Sequence, residues 1–397
     1  MTYVISKMKA NPGGQIDLQE VVGREGLIRI LWETVEQQSL VITAERRIGK
    51  TTVIQKMKHE PQKGWVPVFQ DLERFHTAAE FAMAVYREIH QFLGRGGKTA
   101  RTVKDFLSAL GGTEIGGIIK LPDKAITPWK ELLTKAVEDL LPENEATGTK
   151  LLFLWDEMPF MLLNIRDREG EKTAMEVLDL LRALRQTHRD LRMVITGSIG
   201  LHHVLASLKA KNYGNSPVND MAQVDVPPLD EKDSLGLAEK LITGEALKSP
   251  APRAAAEAIA READHFPFYI HHIVRALKIR GQDATPESVR SVVASQLVDA
   301  NDPWQLLHYR VRIPLYYAGD EREVLSILDC MAAQPAAASV AELLGMLKGT
   351  SEFDDRERLL RLLSLMERDH YLRRQEDGRY HFRFPLICRW WKMHRGL

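Results

Sequence analysis

The chain of 397 residues is long for a single hydrophobic core, so about two or three domains are expected. Hydrophobic residues make up 44% and charged residues 27% of the chain, which is typical of a soluble globular protein. The net charge is zero, so global charge neither indicates nor excludes nucleic acid as a partner. The sequence lacks the run of roughly 18 apolar residues that a membrane helix needs and the apolar stretch of a secretory signal.

Cysteine usage argues against both zinc and a disulfide framework. The two cysteines, Cys330 and Cys388, have no Cys-x-x-Cys spacing and no nearby histidine cluster. We therefore expect a cytoplasmic protein that has no membrane partner.

The first 228 residues predict an α/β domain behind a loose polar lead-in, residues 1–20. Short apolar runs alternate with segments in which apolar residues recur every three or four positions. The apolar runs are residues 40–43, 65–70, 151–155, 191–196 and 222–226. The helical segments are residues 79–93, 129–141 and 174–188. Nearly continuous apolar strands separated by helices predict a parallel sheet covered on both faces. Residues 94–127 fit this pattern poorly, and we expect an insertion with a short hairpin around residues 116–121.

The rest of the chain predicts two smaller units. Residues 229–319 are helical in pattern, and residues 321–333, 339–347 and 355–369 follow as three amphipathic helices. Two strands around the turn Glu376-Asp377-Gly378 come next, and three helices with a hairpin are typical of a winged helix. The predicted divisions are a lead-in (1–20), an α/β core (21–228), a helical segment (229–319) and a winged-helix domain (320–397).

A phosphate-binding loop is predicted where the first strand runs into a helix. Residues 44–51 read Ala-x-x-x-x-Gly-Lys-Thr, and backbone N–H groups at such a helix start bind phosphate oxygens. Lys50 is expected to reach the β- and γ-phosphates, and the Thr51 hydroxyl to bind Mg²⁺. Ala44 replaces the usual first glycine by the smallest substitute. The predicted nucleotide contacts from the loop are Ala44, Glu45, Arg46, Arg47, Ile48, Gly49, Lys50, Thr51 and Thr52.

The Gly-Lys-Thr of this loop has an alternative interpretation, and the sequence contains a second Gly-Lys-Thr. The Gly-Lys-Thr could be a chance match on a solvated turn. A second Gly-Lys-Thr, residues 97–99, follows a helix and not an apolar strand, so we interpret it as a flexible basic loop.

Acidic and hydroxyl side chains follow two later strands. Asp156 and Glu157 end an apolar run, where ligands of open α/β sheets bind. Asp156 is expected to hold Mg²⁺, and Glu157 to orient or deprotonate the attacking water. The alternative is that both acids cap the helix that follows. Thr196 and Ser198 follow the next strand, and either hydroxyl is a candidate sensor of the γ-phosphate or the water.

In this order the motifs resemble the AAA+ branch of P-loop NTPases, over roughly residues 20–397. Residues 44–52, AERRIGKTT, are similar to archaeal-type predicted ATPases near the Orc1/Cdc6 and STAND groups. Residues 21–31 resemble the motif that packs on adenine in that family, which implies contacts from Val22, Gly23 and Arg24. Residues 265–273 and 379–391 resemble its helical lid and its winged-helix ending.

The resemblance implies the cofactors ATP and Mg²⁺, with ATP between the core and the lid and slow hydrolysis. Ring-forming relatives carry an arginine finger where residues 199–221 contain no arginine, which favours a switch over a fast motor. Four nearby arginines recur every three or four residues, and we interpret them as the solvated face of a helix. The set is Arg182, Arg185, Arg189 and Arg192. Arg46 and Arg47 are expected beside the phosphates, and Arg275 is a candidate lid arginine.

The C-terminal segment is basic and leaves two partner classes open. Residues 356–397 contain ten arginines and one lysine against five acidic residues. Duplex DNA and a regulatory protein both fit this balance. The alternatives to a hydrolysing switch are an Orc1/Cdc6-like DNA-binding ATPase and a non-hydrolysing ATP-gated adaptor in a defence or mobile-element complex. An exposed Trp390 or Trp391 would indicate a partner surface. The sequence is compatible with a monomer or an oligomer.

Overall fold

The computed structural model describes residues 8–14, 16–92, 113–115, 118–120, 128–147, 150–197, 200–209, 213–351 and 353–397. The chain forms two compact units. The sheet unit comprises Gly26–Thr43 and Lys50–Val226, and the helical unit comprises Met1–Glu25, Ala44–Gly49 and Pro227–Leu397. The four divisions expected from the sequence stay predictions.

The sheet unit contains the predicted parallel sheet. Its strands are β1 (Leu40–Thr43), β2 (Trp65–Asp71), β3 (Thr113–Ile115), β4 (Ile118–Lys120), β5 (Lys150–Asp156), β6 (Leu191–Ile195) and β7 (Ala222–Asp225). Five of them form one sheet in the order β2-β5-β6-β1-β7, with every neighbouring pair parallel. Strands β3 and β4 pair antiparallel as a separate hairpin, which confirms the hairpin expected around residues 116–121.

The first helix of this unit precedes β1, and the other helices lie between the parallel strands, as this topology requires. They are α1 (Glu25–Val35), α2 (Lys50–His59), α3 (Ala78–Phe92), α4 (Trp129–Thr147), α5 (Met158–Glu169), α6 (Glu171–Thr187) and α7 (Leu201–Lys209). Strand β5 is buried from Leu151 to Trp155, and Trp155 stacks on Phe153 with ring centroids 4.8 Å apart. A central parallel strand is covered on both faces, so its apolar run lies inside the unit. Asp156 ends this run and therefore lies at the carboxyl end of β5.

The interpretation of the arginine set as a solvated face is wrong for Arg185. Its buried guanidinium donates two hydrogen bonds to the Asp220 carboxylate, at 3.0 and 2.9 Å, and a third to the Pro217 carbonyl at 2.6 Å. Arg192 is half-buried and donates to the Val35 carbonyl at 3.1 Å. Helical spacing alone did not reveal these partners because they come from distant parts of the chain.

The helical unit contains the remaining elements. Its helices are α8 (Glu231–Gly244), α9 (Pro252–Glu262), α10 (Pro267–Arg280), α11 (Pro286–Leu297), α12 (His308–Tyr316), α13 (Glu321–Ala333), α14 (Val340–Ser351), α15 (Arg356–Arg368) and α16 (Pro385–Arg395). Strands β8 (Leu372–Arg374) and β9 (Tyr380–Phe382) pair antiparallel around the predicted turn, where Gly378 has a φ of 84°. The predicted order of three helices and a hairpin is confirmed, and its interpretation as a winged helix stays a prediction.

Side chains at three helix starts satisfy backbone donors that would otherwise lack partners. Asp230 accepts from the backbone N–H of Asp233 at the start of α8, and Asp355 does the same for Arg358 at the start of α15. Thr285 forms a capping box with Ser288 at the start of α11. No helix in the described ranges is long and apolar enough to cross a membrane.

The expected loose lead-in is wrong for residues 8–14, which dock on the helical unit. The Lys9 ammonium donates to the Gly244 carbonyl at 2.6 Å, and the Ala10 N–H donates to the Glu245 carboxylate at 2.9 Å. The Asn11 N–H donates to Nδ1 of His271 at 3.1 Å. A short segment with few apolar residues is thus held by polar contacts that span 235 to 260 positions along the chain.

Candidate nucleotide-binding site

In the sheet unit, Thr51 and Asp156 meet at the carboxyl ends of the strands. The Thr51 hydroxyl, in the first turn of α2, donates to Oδ2 of Asp156 at 2.5 Å. Burial raises the pKa of Asp156 to about 6, although the Thr51 hydrogen bond acts in the opposite direction. A hydroxyl and a carboxylate are the oxygen ligands that Mg²⁺ prefers, so this pair fits the ion. Lys50, which begins α2, is buried in the same unit.

Glu157 begins α5 in a conformation that is unusual for a residue with a side chain. Its φ is 55°, in the left-handed region, and its side chain makes no hydrogen bond that caps the helix. The capping alternative is therefore not supported for Glu157. Strained backbone of this kind is found at functional sites when the surrounding structure holds it in place.

Gly197 lies beside Glu157 and was missed by sequence reasoning. A Cβ added at Gly197 would lie 2.6 Å from Cδ of Pro159 and 3.6 Å from Oε2 of Glu157. Only glycine fits this close approach without a backbone shift. The signal in the sequence was a glycine directly after a strand end.

Thr196 joins the ends of β5 and β6. Its N–H donates to the Trp155 carbonyl at 2.9 Å, and its carbonyl accepts from the Met158 N–H at 3.2 Å. The side chain is buried, and its hydroxyl has no hydrogen-bond partner within the described parts of the chain. A buried hydroxyl without a partner costs about 1–3 kcal/mol, so the position suits a polar ligand atom. Ser198, the other candidate sensor, lies outside the described residues.

Asp71 is a second acid that sequence reasoning missed. It ends β2 and pairs in register with Asp156 on β5. Its charge adds to the burial that raises the pKa of Asp156. An acid at the end of a second apolar run was the available signal, because parallel strands end at one edge of the sheet.

In the helical unit, the backbone of loop residues 44–49 is held by Arg24. The buried Arg24 guanidinium donates to the carbonyls of Ile48 at 2.9 Å and Pro227 at 2.8 Å. Burial lowers the pKa of Arg24 to about 10. Within the loop, Arg47 has a φ of 67° and Gly49 a φ of 99°. Arg24 thus shapes the loop, and the implied adenine contacts of Val22, Gly23 and Arg24 stay predictions.

The charged side chains of the loop have partners of their own. Glu45 is buried, with Oε1 lying 3.4 Å from Nη1 of Arg312 and 3.7 Å from Nε2 of His308. Burial alone would raise the pKa of Glu45, but the charge of Arg312 and the nearby His308 ring outweigh it and hold the pKa at about 2. Arg47 packs over the Phe268 ring at 4.9 Å and donates from Nε to Gln305 at 3.1 Å.

The predicted site residues of the loop and of α10 differ in their exposure. Arg46 and Thr51 are exposed, while Ala44, Gly49 and Thr52 are half-buried and Ile48 is buried. Arg275 is exposed on α10, and its assignment as a lid arginine stays a prediction.

Much of the C-terminal positive charge is neutralised within the helical unit. Five arginines of the basic C-terminal segment, residues 356–397, form ion pairs with acidic side chains. The pairs are Arg358–Asp320, Arg361–Asp320, Arg379–Glu342, Arg389–Glu262 and Arg395–Asp329. Trp390 and Trp391 are both buried, and the Trp391 indole donates to Asp329 at 2.8 Å. Neither tryptophan therefore forms an exposed partner surface.

No protein-family model matches the chain, and no curated protein matches it in sequence. Among solved structures, the Walker-type ATPase PABY2304 of Pyrococcus abyssi is similar with a TM-score of 0.64 at 16% identity, over 94% of this chain and 97% of that chain. The ORC2 protein of Aeropyrum pernix, in ADPNP-ADP complexes, has a TM-score of 0.49 at 12% identity, over 97% of this chain and 96% of that chain. The ORC1 protein of Aeropyrum pernix, in complex with DNA, has a TM-score of 0.38 at 14% identity, over 95% of each chain.

The likeness to the Pyrococcus abyssi protein shows the fold of this chain. The five-stranded parallel sheet with its helices is an α/β P-loop NTPase fold. The predicted α/β fold class is thereby confirmed, while the helical lid and the winged helix stay predictions.

Proposed function

We propose that the protein binds ATP with Mg²⁺ at residues 44–52 and hydrolyses it slowly, as a nucleotide-dependent switch. The observation that carries the proposal is the 2.5 Å contact between Thr51 and Asp156. These residues lie 105 positions apart, and a phosphate-binding loop with an acidic strand end requires them to meet. The Pyrococcus abyssi protein of the same fold is described as a Walker-type ATPase.

Each side chain has a defined role in this proposal. The Lys50 ammonium binds the β- and γ-phosphates, while Thr51 and Asp156 hold Mg²⁺, which neutralises phosphate charge. Glu157 orients the attacking water and accepts its proton, and the Thr196 hydroxyl contacts the γ-phosphate or that water. The absence of arginine between residues 199 and 221 favours slow turnover, because an arginine finger can contribute about 10³–10⁵-fold in rate.

Hydrolysis is tested by comparing Glu157→Gln with the wild type. We expect the variant to bind ATP within about threefold of the wild type and to lose about 10²-fold or more in single-turnover rate. Asp167→Asn is a matched control, because Asp167 lies on the same helix and is exposed. Equal rates near background for wild type and Glu157→Gln would instead support the non-hydrolysing adaptor.

Contact with duplex DNA is a second candidate function. Arg373 and Arg374 are exposed on β8 and form no ion pair with any described residue. If they bind phosphates, Arg373→Ala with Arg374→Ala should weaken duplex binding and reduce its salt dependence. Unchanged binding, or none by the wild type, would favour a regulatory protein as the partner.

A further inference from the structure

The phosphate-binding loop contains an internal anion. Oε1 of Glu45 accepts a hydrogen bond from the backbone N–H of the next residue, Arg46, at 2.8 Å. Loops of this type bind phosphate through their backbone N–H groups. One of the loop's donors is therefore occupied by a carboxylate of the same chain.

The Glu45 carboxylate is also held from helix α12. The same Oε1 lies 3.4 Å from the Arg312 guanidinium and 3.7 Å from the His308 ring. The Glu45 side chain is 2% exposed and that of Arg312 is 11% exposed, so the pair is shielded from water. Removing one partner of such a pair leaves a buried charge uncompensated, so displacing Glu45 would leave Arg312 without its carboxylate partner.

Arg312 connects this carboxylate to the segment between α15 and β8. Its Nε donates to the Tyr371 hydroxyl at 2.8 Å, and its Nη2 donates to the Asp369 carbonyl at 2.8 Å. The guanidinium lies 4.3 Å from the Tyr371 ring centroid and 4.6 Å from that of Tyr309. A planar guanidinium can hold these partners at once, whereas the single ammonium of lysine cannot reproduce the arrangement.

We propose that Glu45 competes with nucleotide phosphate for the loop and that Arg312 transmits its displacement to residues 369–371. The inference rests on the proposed ATP binding and deepens it by naming how the site is regulated. Phosphate and the Glu45 carboxylate are both anions, and each accepts hydrogen bonds from backbone N–H groups of this loop. Phosphate binding therefore displaces the carboxylate, and the loss of its contact with Arg312 loosens the bonds to Asp369 and Tyr371.

The competition is tested by titrating ADP and ATP with Mg²⁺ into the full chain by calorimetry. Glu45→Gln keeps the shape of the side chain but removes its charge and makes it a weaker acceptor. We expect this variant to bind nucleotide about tenfold more tightly, within the usual range of coupling between two ligands. Arg358→Gln is the matched control, since it removes an arginine–carboxylate pair elsewhere in the same unit. Unchanged or weaker binding by Glu45→Gln would overturn the competition.

The transmission is tested by hydrogen exchange in peptides that cover residues 366–374. Nucleotide should speed exchange there in the wild type. In Arg312→Lys the response should be lost while nucleotide affinity stays within about threefold, because the positive charge remains near Glu45. Tyr371→Phe removes only the hydroxyl that accepts from Arg312, so it should reduce the response. This second variant keeps the test valid if Arg312→Lys fails to fold. A response that survives in both variants overturns the transmission alone.

Failure of the proposed function gives a different result. If the wild-type protein binds neither ADP nor ATP, the proposed ATP binding is wrong, and so is the proposed competition between Glu45 and phosphate. Wild-type binding without any exchange response in residues 366–374 would leave ATP binding intact and overturn the transmission.

Discussion

Asp264 couples the stability of the helical unit to pH. Its carboxylate accepts from the Leu386 N–H at 2.6 Å, at the start of α16. Burial raises the pKa of Asp264 from 3.8 to about 6, although the Leu386 hydrogen bond and the Arg389 charge act against it. The folded protein thus binds this proton more tightly than the unfolded chain does. Stability from this group is complete below about pH 4 and is lost as the pH rises through about 6.

The size of this effect follows from the two pKa values. A pKa that moves from 3.8 to about 6 corresponds to roughly 3 kcal/mol of unfolding free energy. Asp264→Asn removes the charge but keeps an oxygen that can accept from Leu386. At about pH 7.5 we therefore expect the variant to be about 1–3 kcal/mol more stable than the wild type. At about pH 4 the two should agree within about 0.5 kcal/mol.

Urea unfolding of wild type and Asp264→Asn across this pH range measures the difference. Glu257→Gln is a matched control, because Glu257 forms an exposed pair with Arg253 on a neighbouring helix. Exposed pairs contribute about 0–1 kcal/mol, so the control should show no comparable pH dependence. A difference between wild type and Asp264→Asn that stays constant with pH would show that Asp264 does not couple stability to pH.

Two further predictions concern contacts that sequence reasoning missed. Arg185→Ala leaves Asp220 without its buried partner and should lower the unfolding free energy by about 3–5 kcal/mol, measured by chemical denaturation; a loss below about 1 kcal/mol would contradict it. A Cβ at Gly244 would lie 1.7 Å from the Met8 carbonyl, so Gly244→Ala should release the lead-in and speed tryptic cleavage at Lys9 by about tenfold. Gly236→Ala on the same helix meets nothing within 4 Å and should leave cleavage unchanged.

Local patterns predicted the elements closely. The first strand was predicted at residues 40–43, which is β1, and the run at 151–155 lies within β5. A central parallel strand has to be apolar along its length, so its bounds are visible in the sequence. Helix α13 also matches its prediction, because apolar residues at 3–4 spacing mark its buried face.

Contacts over long sequence separations were not predictable in this way. The two motifs predicted that Thr51 and Asp156 both bind Mg²⁺ and so lie close together, since each motif follows its own predicted strand. Nothing local indicated that Glu45 faces Arg312, which lies 267 positions away. The docking of residues 8–14 was missed for the same reason, because backbone N–H donors leave no pattern in the sequence.

If residues 44–52 bind ATP, the Lys50 ammonium should contribute much of the affinity through its contact with the phosphates. Equilibrium titration of ATP with Mg²⁺ should show saturable binding by the wild type and a loss of at least about thirtyfold in affinity for Lys50→Ala. Lys58→Ala, which removes an exposed lysine from the same helix, should bind ATP like the wild type. ATP binding that is absent in the wild type, or equal in wild type and Lys50→Ala, would show that residues 44–52 are not an ATP site.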